Sequence, residues 1–307
     1  MKRFIISLSL TLCTTCFAFA QVFISNNMSV QRPAKILDNA LLQAVYKASS
    51  VGDSSNLDRV AVDTMILQVG SNRISKFFAD TRVRDSILQA QIGQRLAAMN
   101  TTGVNVSVRN VGSAPSGSSG GNQSIVFKNY PSGSFTVTDR IMMDDYTYTE
   151  PYVEIEWEIL PDTDTLLSYP CQKAVATFRG RSYEAWFAPA IPLNDGPWKF
   201  NGLPGLILKV SDTRQHYIFE CIGLEQTSAA IEYADVDYLK TNRRDLARVK
   251  RKFYEDPLAA MESMRASAPA GAAVRVVARN ADGSTADESE IRNRMRNRAY
   301  NPIELDY

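Results

Sequence analysis

The chain has 307 residues, 45% of them hydrophobic and 22% charged, with 34 Lys and Arg set against 33 Asp and Glu. A formal net charge of +1 excludes a global field that would steer nucleic acid or an acidic surface, so any partner is recognised locally. One histidine, His216, excludes a multi-histidine metal cage.

The first 20 residues read as a signal peptide: Lys2 and Arg3 are a basic start, residues 4–12 an apolar run, and Ala18-Phe19-Ala20 a small-x-small cleavage site. The mature chain is expected to begin at Gln21, in the periplasm or associated with the outer membrane. Loss of Lys2 and Arg3 takes the formal charge to −1 (1 − 2). No later segment reaches the ~18 to 20 consecutive apolar residues of a membrane-spanning helix. Cys171 and Cys221 are the cysteines that survive cleavage. In an oxidising compartment the pair suggests one disulfide, worth about 4 kcal/mol for a ~50-residue loop. Two buried free thiols are the alternative.

After a short lead to residue 36, β-branched or alternating runs predict strands over 41–48, 60–69 and 73–79. The period then changes. Val83, Ile87, Ile92 and Leu96 recur at helical spacing, predicting a helix over 81–99 capped by Asp80 or Thr81. Residues 112–122, GSAPSGSSGGN, lack apolar bulk to offset their ordering entropy and predict a flexible loop. Strand signals follow over 125–130, 135–142, 146–160, 171–178, 182–187, 206–210 and 217–224, with short turns between them. The fold class is α+β, mainly β: an antiparallel meander, curved into a half-barrel-like sheet, with a helix before the Gly/Ser loop and helices at the C-terminal end.

A core domain is assigned to 21–230 and a helical extension to 231–307. Helices are expected over 238–255 and 257–266, with Asp256 as cap and Pro257 at the first helical position. A strand is expected over 274–278 and a polar helix over 287–298. The first of these helices carries six cations, Arg243, Arg244, Arg248, Lys250, Arg251 and Lys252. A solvated face, partly paired by Asp245 and Glu255, weighs more than an anion-binding surface, because a broad aromatic face is missing.

The densest turn chemistry lies in 191–210, IPLNDGPWKFNGLPGLILKV. Leu203-Pro204-Gly205-Leu206 fits a type II turn, with Gly205 supplying the positive φ and Gly202 just before it. Asn194-Asp195-Gly196-Pro197 is a second turn signal. Trp198 and Phe200 lie between them, on a rigid corner closing the apolar interior or on the lip of a ligand cleft shared with Trp186. This stretch resembles the GLPGLI proteins of Bacteroidota, whose motif stands here as residues 202–207. Cys171-Gln172-Lys173-Ala174, Phe178-Arg179-Gly180-Arg181, Ala185-Trp186-Phe187, Ile191-Pro192, Gly196-Pro197 and the terminal Asn301-Pro302-Ile303-Glu304-Leu305 also look like the family's pattern. The resemblance covers roughly 124–224 plus the tail, and implies no activity.

Candidate chemistry is sparse. Glu154, Glu156 and Glu158 alternate with Val153, Ile155, Trp157 and Ile159, which on a strand sets three carboxylates on one face at ~7 Å. That spacing is too long to share a proton. A solvated face balanced by Arg179 or Arg181 is the expectation. His216 has no GxSxG, HExxH or phosphate-binding glycine loop beside it, and no catalytic residue, metal or cofactor is assigned. Three roles remain in play. The first is a non-catalytic exported envelope protein binding a hydrophobic ligand, a peptide or a partner protein, in outline similar to half-barrel lipoprotein carriers. The second is an accessory of outer-membrane transport or surface assembly, with envelope or outer-membrane proteins as partners. The third is a carboxylate-based hydrolase.

Overall fold

A computed structural model of the chain describes residues 32–80, 124–141, 144–256 and 298–307, together with Ala259 and Ser289. The signal segment, the helix expected over 81–99, the Gly/Ser loop at 112–122, the helix over 257–266 and the strand over 274–278 lie outside the described residues, save Ala259. So does the helix over 287–298, save Ser289 and Arg298.

The described chain is mainly strand. In order it forms β1 (Arg32–Ser50), β2 (Ala61–Gly70), β3 (Ser75–Ala79), β4 (Ile125–Lys128), β5 (Ser134–Ile141), β6 (Asp144–Pro151) and β7 (Glu158–Leu166). There follow β8 (Tyr169–Phe178), β9 (Arg181–Ala188), β10 (Leu206–Asp212), β11 (Tyr217–Gln226), β12 (Ala230–Asp235), β13 (Leu239–Lys240) and one helix, α1 (Arg243–Glu255). The alternation that predicts strands is the alternation that is buried: on β9, Arg181, Tyr183, Ala185 and Phe187 face inward while Ser182 is exposed.

One 13-stranded sheet runs in the order β13-β6-β5-β4-β3-β2-β1-β11-β10-β9-β8-β7, with β12 added to the first half of β1. Two antiparallel meanders, β1 to β6 and β7 to β11, therefore meet where β1 pairs with β11. The expected single strand over 146–160 is divided. Its first part is β6, near one end of the sheet, its last part enters β7, the other edge, and residues 152–157 cross between them without strand pairing. Sequence alternation continues through that crossing because Ile155 is buried there too.

The sheet curls until its two halves face each other. Phe77 of β3 packs edge-on against Phe219 of β11 at 5.9 Å between ring centroids, although β2 and β1 separate those strands. The concave side holds Tyr46, Met65, Leu67, Phe77, Phe135, Tyr183 and Phe187, all fully buried. The open edge β7 is exposed along nearly its whole length, and carries a proline at Pro161 and a register shift between Ile159 and Thr163. Both discourage pairing with a further strand.

The sheet does not stop at residue 230, because β12 pairs with β1 and β13 lies parallel to β6. α1 starts later than the period suggests. Asn242 caps it, its side chain accepting from Asp245 N at 2.9 Å. Asp256 serves as the expected cap of the next segment, its Oδ1 accepting from Ala259 N at 2.9 Å.

Candidate functional site

Residues 189–205, between the paired strands β9 and β10, leave the sheet and return as a strap across its concave face. Its base is closed by Leu206 N donating to Ile191 O (2.9 Å) and Ile207 N to Asp195 O (3.0 Å). Trp198, Phe200 and Leu203 are buried beneath it. Phe200 is the hub: its ring meets Tyr183 at 4.8 Å, Trp198 at 5.3 Å and Phe219 at 6.2 Å. The type II turn expected over 203–206 takes another form. The positive φ falls on Gly202 (97°), whose N–H is received by Asn194 Oδ1. Gly205 is required for space, since a Cβ there would lie 2.3 Å from Ala188 O.

Two buried lysines fix the strap to the opposite half of the sheet. Lys128, at the end of β4, directs its three N–H bonds to Asp195 Oδ1 (2.5 Å), Gly196 O (2.5 Å) and Phe200 O (2.9 Å). Burial lowers its pKa, against the pull of Asp195. Lys199, on the strap itself, donates to Tyr148 Oη (3.0 Å), Glu150 Oε1 (2.6 Å) and Glu304 Oε1 (2.5 Å). Neither ammonium has a proton left to offer a ligand.

Lys199 opens onto a network that gathers the tail, residues 298–307. Arg179 bonds Glu150 Oε2 at 2.9 Å and lies 3.7 Å from Asp306. Arg243 of α1 bonds Glu304 Oε2 at 3.0 Å and Asp306 Oδ1 at 2.6 Å. Three cations face three carboxylates, and the network is neutral. Burial alone would raise the Glu304 pKa, but Lys199 and Arg243 outweigh it and hold the carboxyl below its usual range.

The tail's entry is read by Arg181. Its guanidinium donates to Asn301 Oδ1 (2.6 Å), Pro302 O (2.5 Å) and Ile303 O (3.1 Å), while Nη1 pairs with the buried Asp212 at 3.0 Å. Tyr217 Oη donates to Asn301 O at 2.6 Å. Asn301 Nδ2 donates to Val51 O at 2.6 Å and meets His216 Nδ1 at 3.1 Å. His216 therefore stands against the Asn301 amide as a positioning group.

The sequence-selected residues are dispersed by this fold. Trp198 and Phe200 lie inside, but Trp186 projects from the outer face of β9, with Lys173 Nζ 5.9 Å from its ring centroid. No lip unites them. Glu154, Glu156 and Glu158 are exposed and flank no arginine of the expected kind: Arg179 serves Glu150 and Arg181 serves Asp212. Among the described residues no group of three His, Cys, Asp or Glu side chains is arranged to hold a metal ion. Cys171 and Cys221 are free and buried, not bridged. They stand on β8 and β11 with β9 and β10 between, about three strand spacings or ~14 Å along the sheet, beyond the reach of a disulfide. Burial raises both thiols, Cys221 to about 11.

The basic helix is two-faced. Arg243 and Lys250 turn inward, Lys250 pairing with the buried Asp139, whereas Arg244, Arg248, Arg251 and Lys252 are exposed. Ser124 Oγ donates to Asp139 at 2.5 Å and accepts from Lys250 at 3.0 Å. Burial opposes the charge on Lys250, but Asp139 prevails and its pKa is raised, so the lysine beside this serine is protonated and the Asp139 carboxylate is held in an ion pair with it. Lys128, Lys199 and Tyr217 were not singled out by the sequence, and Arg181 was expected only to balance surface carboxylates, not to hold the tail. The available signals were a lysine ending an apolar strand, IVFK, and another between two aromatics, WKF.

A family model described as "Protein of unknown function (Porph_ging)" matches residues 177–209, a short stretch that spans the end of β8, all of β9, the strap and the start of β10. No curated protein matches the chain. Among solved structures the chain is similar to PNGF-II in a C2 crystal form, at 12% identity and a TM-score of 0.41, over 69% of this chain and 32% of that one. PNGF-II in a P21 form matches at 11% identity and a TM-score of 0.39, over 69% and 33%. The chain spans about a third of the length of these structures. No helix among the described residues is long and apolar enough to cross a membrane.

Proposed function

We propose that this is a non-catalytic exported protein of the GLPGLI type, held in the periplasm or at the outer membrane, that binds a partner protein or peptide as an accessory of envelope assembly or transport. The observation that carries the reading is the strap. A carrier of hydrophobic ligands needs an open concave face, and here Trp198, Phe200 and Leu203 of the chain itself occupy it. The charged groups beneath and beside them are consumed in pairs: Lys128 by Asp195, Lys199 by Glu150 and Glu304, Arg181 by Asp212. With each of these side chains engaged by an opposite charge, the site offers no free base, which counts against hydrolysis. What it does offer is a means of holding an extended peptide.

Expression of the full chain in a bacterial host, with cell fractionation and N-terminal sequencing, tests the export half. A mature chain starting at Gln21 in the envelope fraction is expected; an uncleaved cytoplasmic chain sinks it. Native mass spectrometry tests the rest, and a co-purifying lipid would restore the carrier reading.

A further inference from the structure

The geometry points to the cleft between the β8–β9 hairpin, the strap and α1 as a recognition site for an extended acidic peptide of the pattern Asn-Pro-aliphatic-Glu-x-Asp, occupied in this structure by the chain's own tail. The inference deepens the partner-binding reading above and rests on it for the biological use of the site.

The contacts are those of a receptor reading a ligand. Body side chains donate to tail backbone carbonyls: Arg181 to Pro302 O and Ile303 O, Tyr217 to Asn301 O, and Arg243 to Asp306 O at 2.8 Å. Backbone completes the set, with Asn301 N donating to Gly52 O (3.1 Å) and Leu305 N to Arg179 O (2.9 Å). Such bonds hold any extended segment, as in strand-type peptide recognition. Selectivity comes from three positions. Asn301 uses both ends of its amide, Oδ1 to Arg181 and Nδ2 to Val51 O, which neither Asp nor Gln reproduces in that space. Pro302 is buried and needs no donor partner. Glu304 is gripped by a different cation on each oxygen, Lys199 on Oε1 and Arg243 on Oε2. Ile303 packs on the apolar core and Asp306 meets Arg243 and Arg179 at the mouth.

The receptor side comes from the β1–β2 connection, the β8–β9 hairpin with its turn, β11, the strap and α1, all earlier in the chain, and residues 256–297 separate α1 from the tail. The tail is thus a ligand tethered in cis. A tether can supply an effective concentration up to the millimolar range, so a partner segment of the same pattern displaces it when presented at comparable local concentration.

The test uses the full mature chain with a protease site inserted between residues 270 and 290, cut after folding. A fluorescent synthetic peptide of residues 298–307 is then added and followed by anisotropy, with circular dichroism recording the fold. The proposal expects the labelled peptide to replace the cut tail while the sheet stays folded, and the Glu304→Gln and Asn301→Ala peptides to compete roughly 10- to 100-fold more weakly. A cut chain that retains its tail without exchange, or that loses its fold as the tail leaves, overturns it, because the tail is then part of the core. Since the experiment reads the cleft alone, its failure leaves the export and lipid tests standing.

Discussion

Arg181 Nη2 lies 2.6 Å from Asn301 Oδ1, tying the first residue of β9 to one 120 positions later. The same guanidinium holds Asp212 of β10, so a single side chain couples hairpin, sheet and tail. Arg181→Ala leaves Asp212 buried without its partner, and a loss of about 3 to 5 kcal/mol is expected. Arg181→Lys keeps the charge but cannot span Asp212 and the tail together, and recovers only part of that. Urea unfolding at constant m decides; an alanine variant within 1 kcal/mol of the parent would refute the coupling.

Much of this arrangement could be read from the chain and some of it could not, for physical reasons. Strand existence was legible because alternation is a local property: the runs over 41–48, 171–178, 182–187, 206–210 and 217–224 lie wholly inside observed strands, and the others over described residues overlap one or, for 146–160, two. Strand order was not, since the passage from β6 to β7 carries the same alternation whether it continues a strand or crosses the sheet. The strap announced itself by its turns, but its burial depends on Lys128, some 67 residues earlier. Isolated charges in apolar runs are ambiguous until their partners are known. The tail motif was visible only as a resemblance, and its role rests on side chains spread over the whole sheet.

The need for Gly205 is steric, and it can be separated from conformational preference. A Cβ at 205 would meet Ala188 O at 2.3 Å and Ala188 C at 2.7 Å, both backbone atoms that cannot rotate away. Gly205→Ala should cost about 1 to 3 kcal/mol and loosen the strap, seen as faster amide exchange over 195–203. Gly52→Ala meets nothing within 4 Å and serves as the control, expected within about 0.5 kcal/mol. Equal stabilities for the two variants would show that the close approach is not maintained in solution.

Lys128 and Asp195 should behave as a coupled pair. Lys128→Met strands a buried carboxylate, Asp195→Asn strands a buried ammonium, and each single change is expected to cost about 3 to 5 kcal/mol. The double variant removes both charges and should cost clearly less than the sum, a coupling of about 0.5 to 3 kcal/mol. Additive losses would mean that Lys128 acts mainly through Gly196 O and Phe200 O.

The cysteines make a chemical prediction. With its pKa pushed up to about 11 by burial, the Cys221 thiol is almost wholly protonated at pH 8 and poorly nucleophilic. Iodoacetamide should label Cys171 and Cys221 slowly in the native protein and fully after denaturation without reductant. Labelling that appears only after reduction, read on the two tryptic peptides, would establish a bridge and require the sheet to rearrange.

Tail docking should depend on pH through Glu304. Its folded pKa lies below the ordinary carboxyl value of 4.5, since Lys199 and Arg243 overcome the burial penalty. A depressed folded pKa contributes stability that is fully present above the unfolded value, and that contribution fades as pH falls through the folded one. Stability should therefore be flat in this respect from pH 7 to about 5 and decline below about 4.5. Glu304→Gln removes the titration together with the ion pairs, so it should be less stable at neutral pH and show a shallower acid decline. Parallel curves of urea midpoint against pH for the two proteins would place the acid-sensitive group elsewhere. If the variant instead converges on the parent as the pH drops toward 3, the carboxylate of Glu304 is what the tail contributes to the cleft.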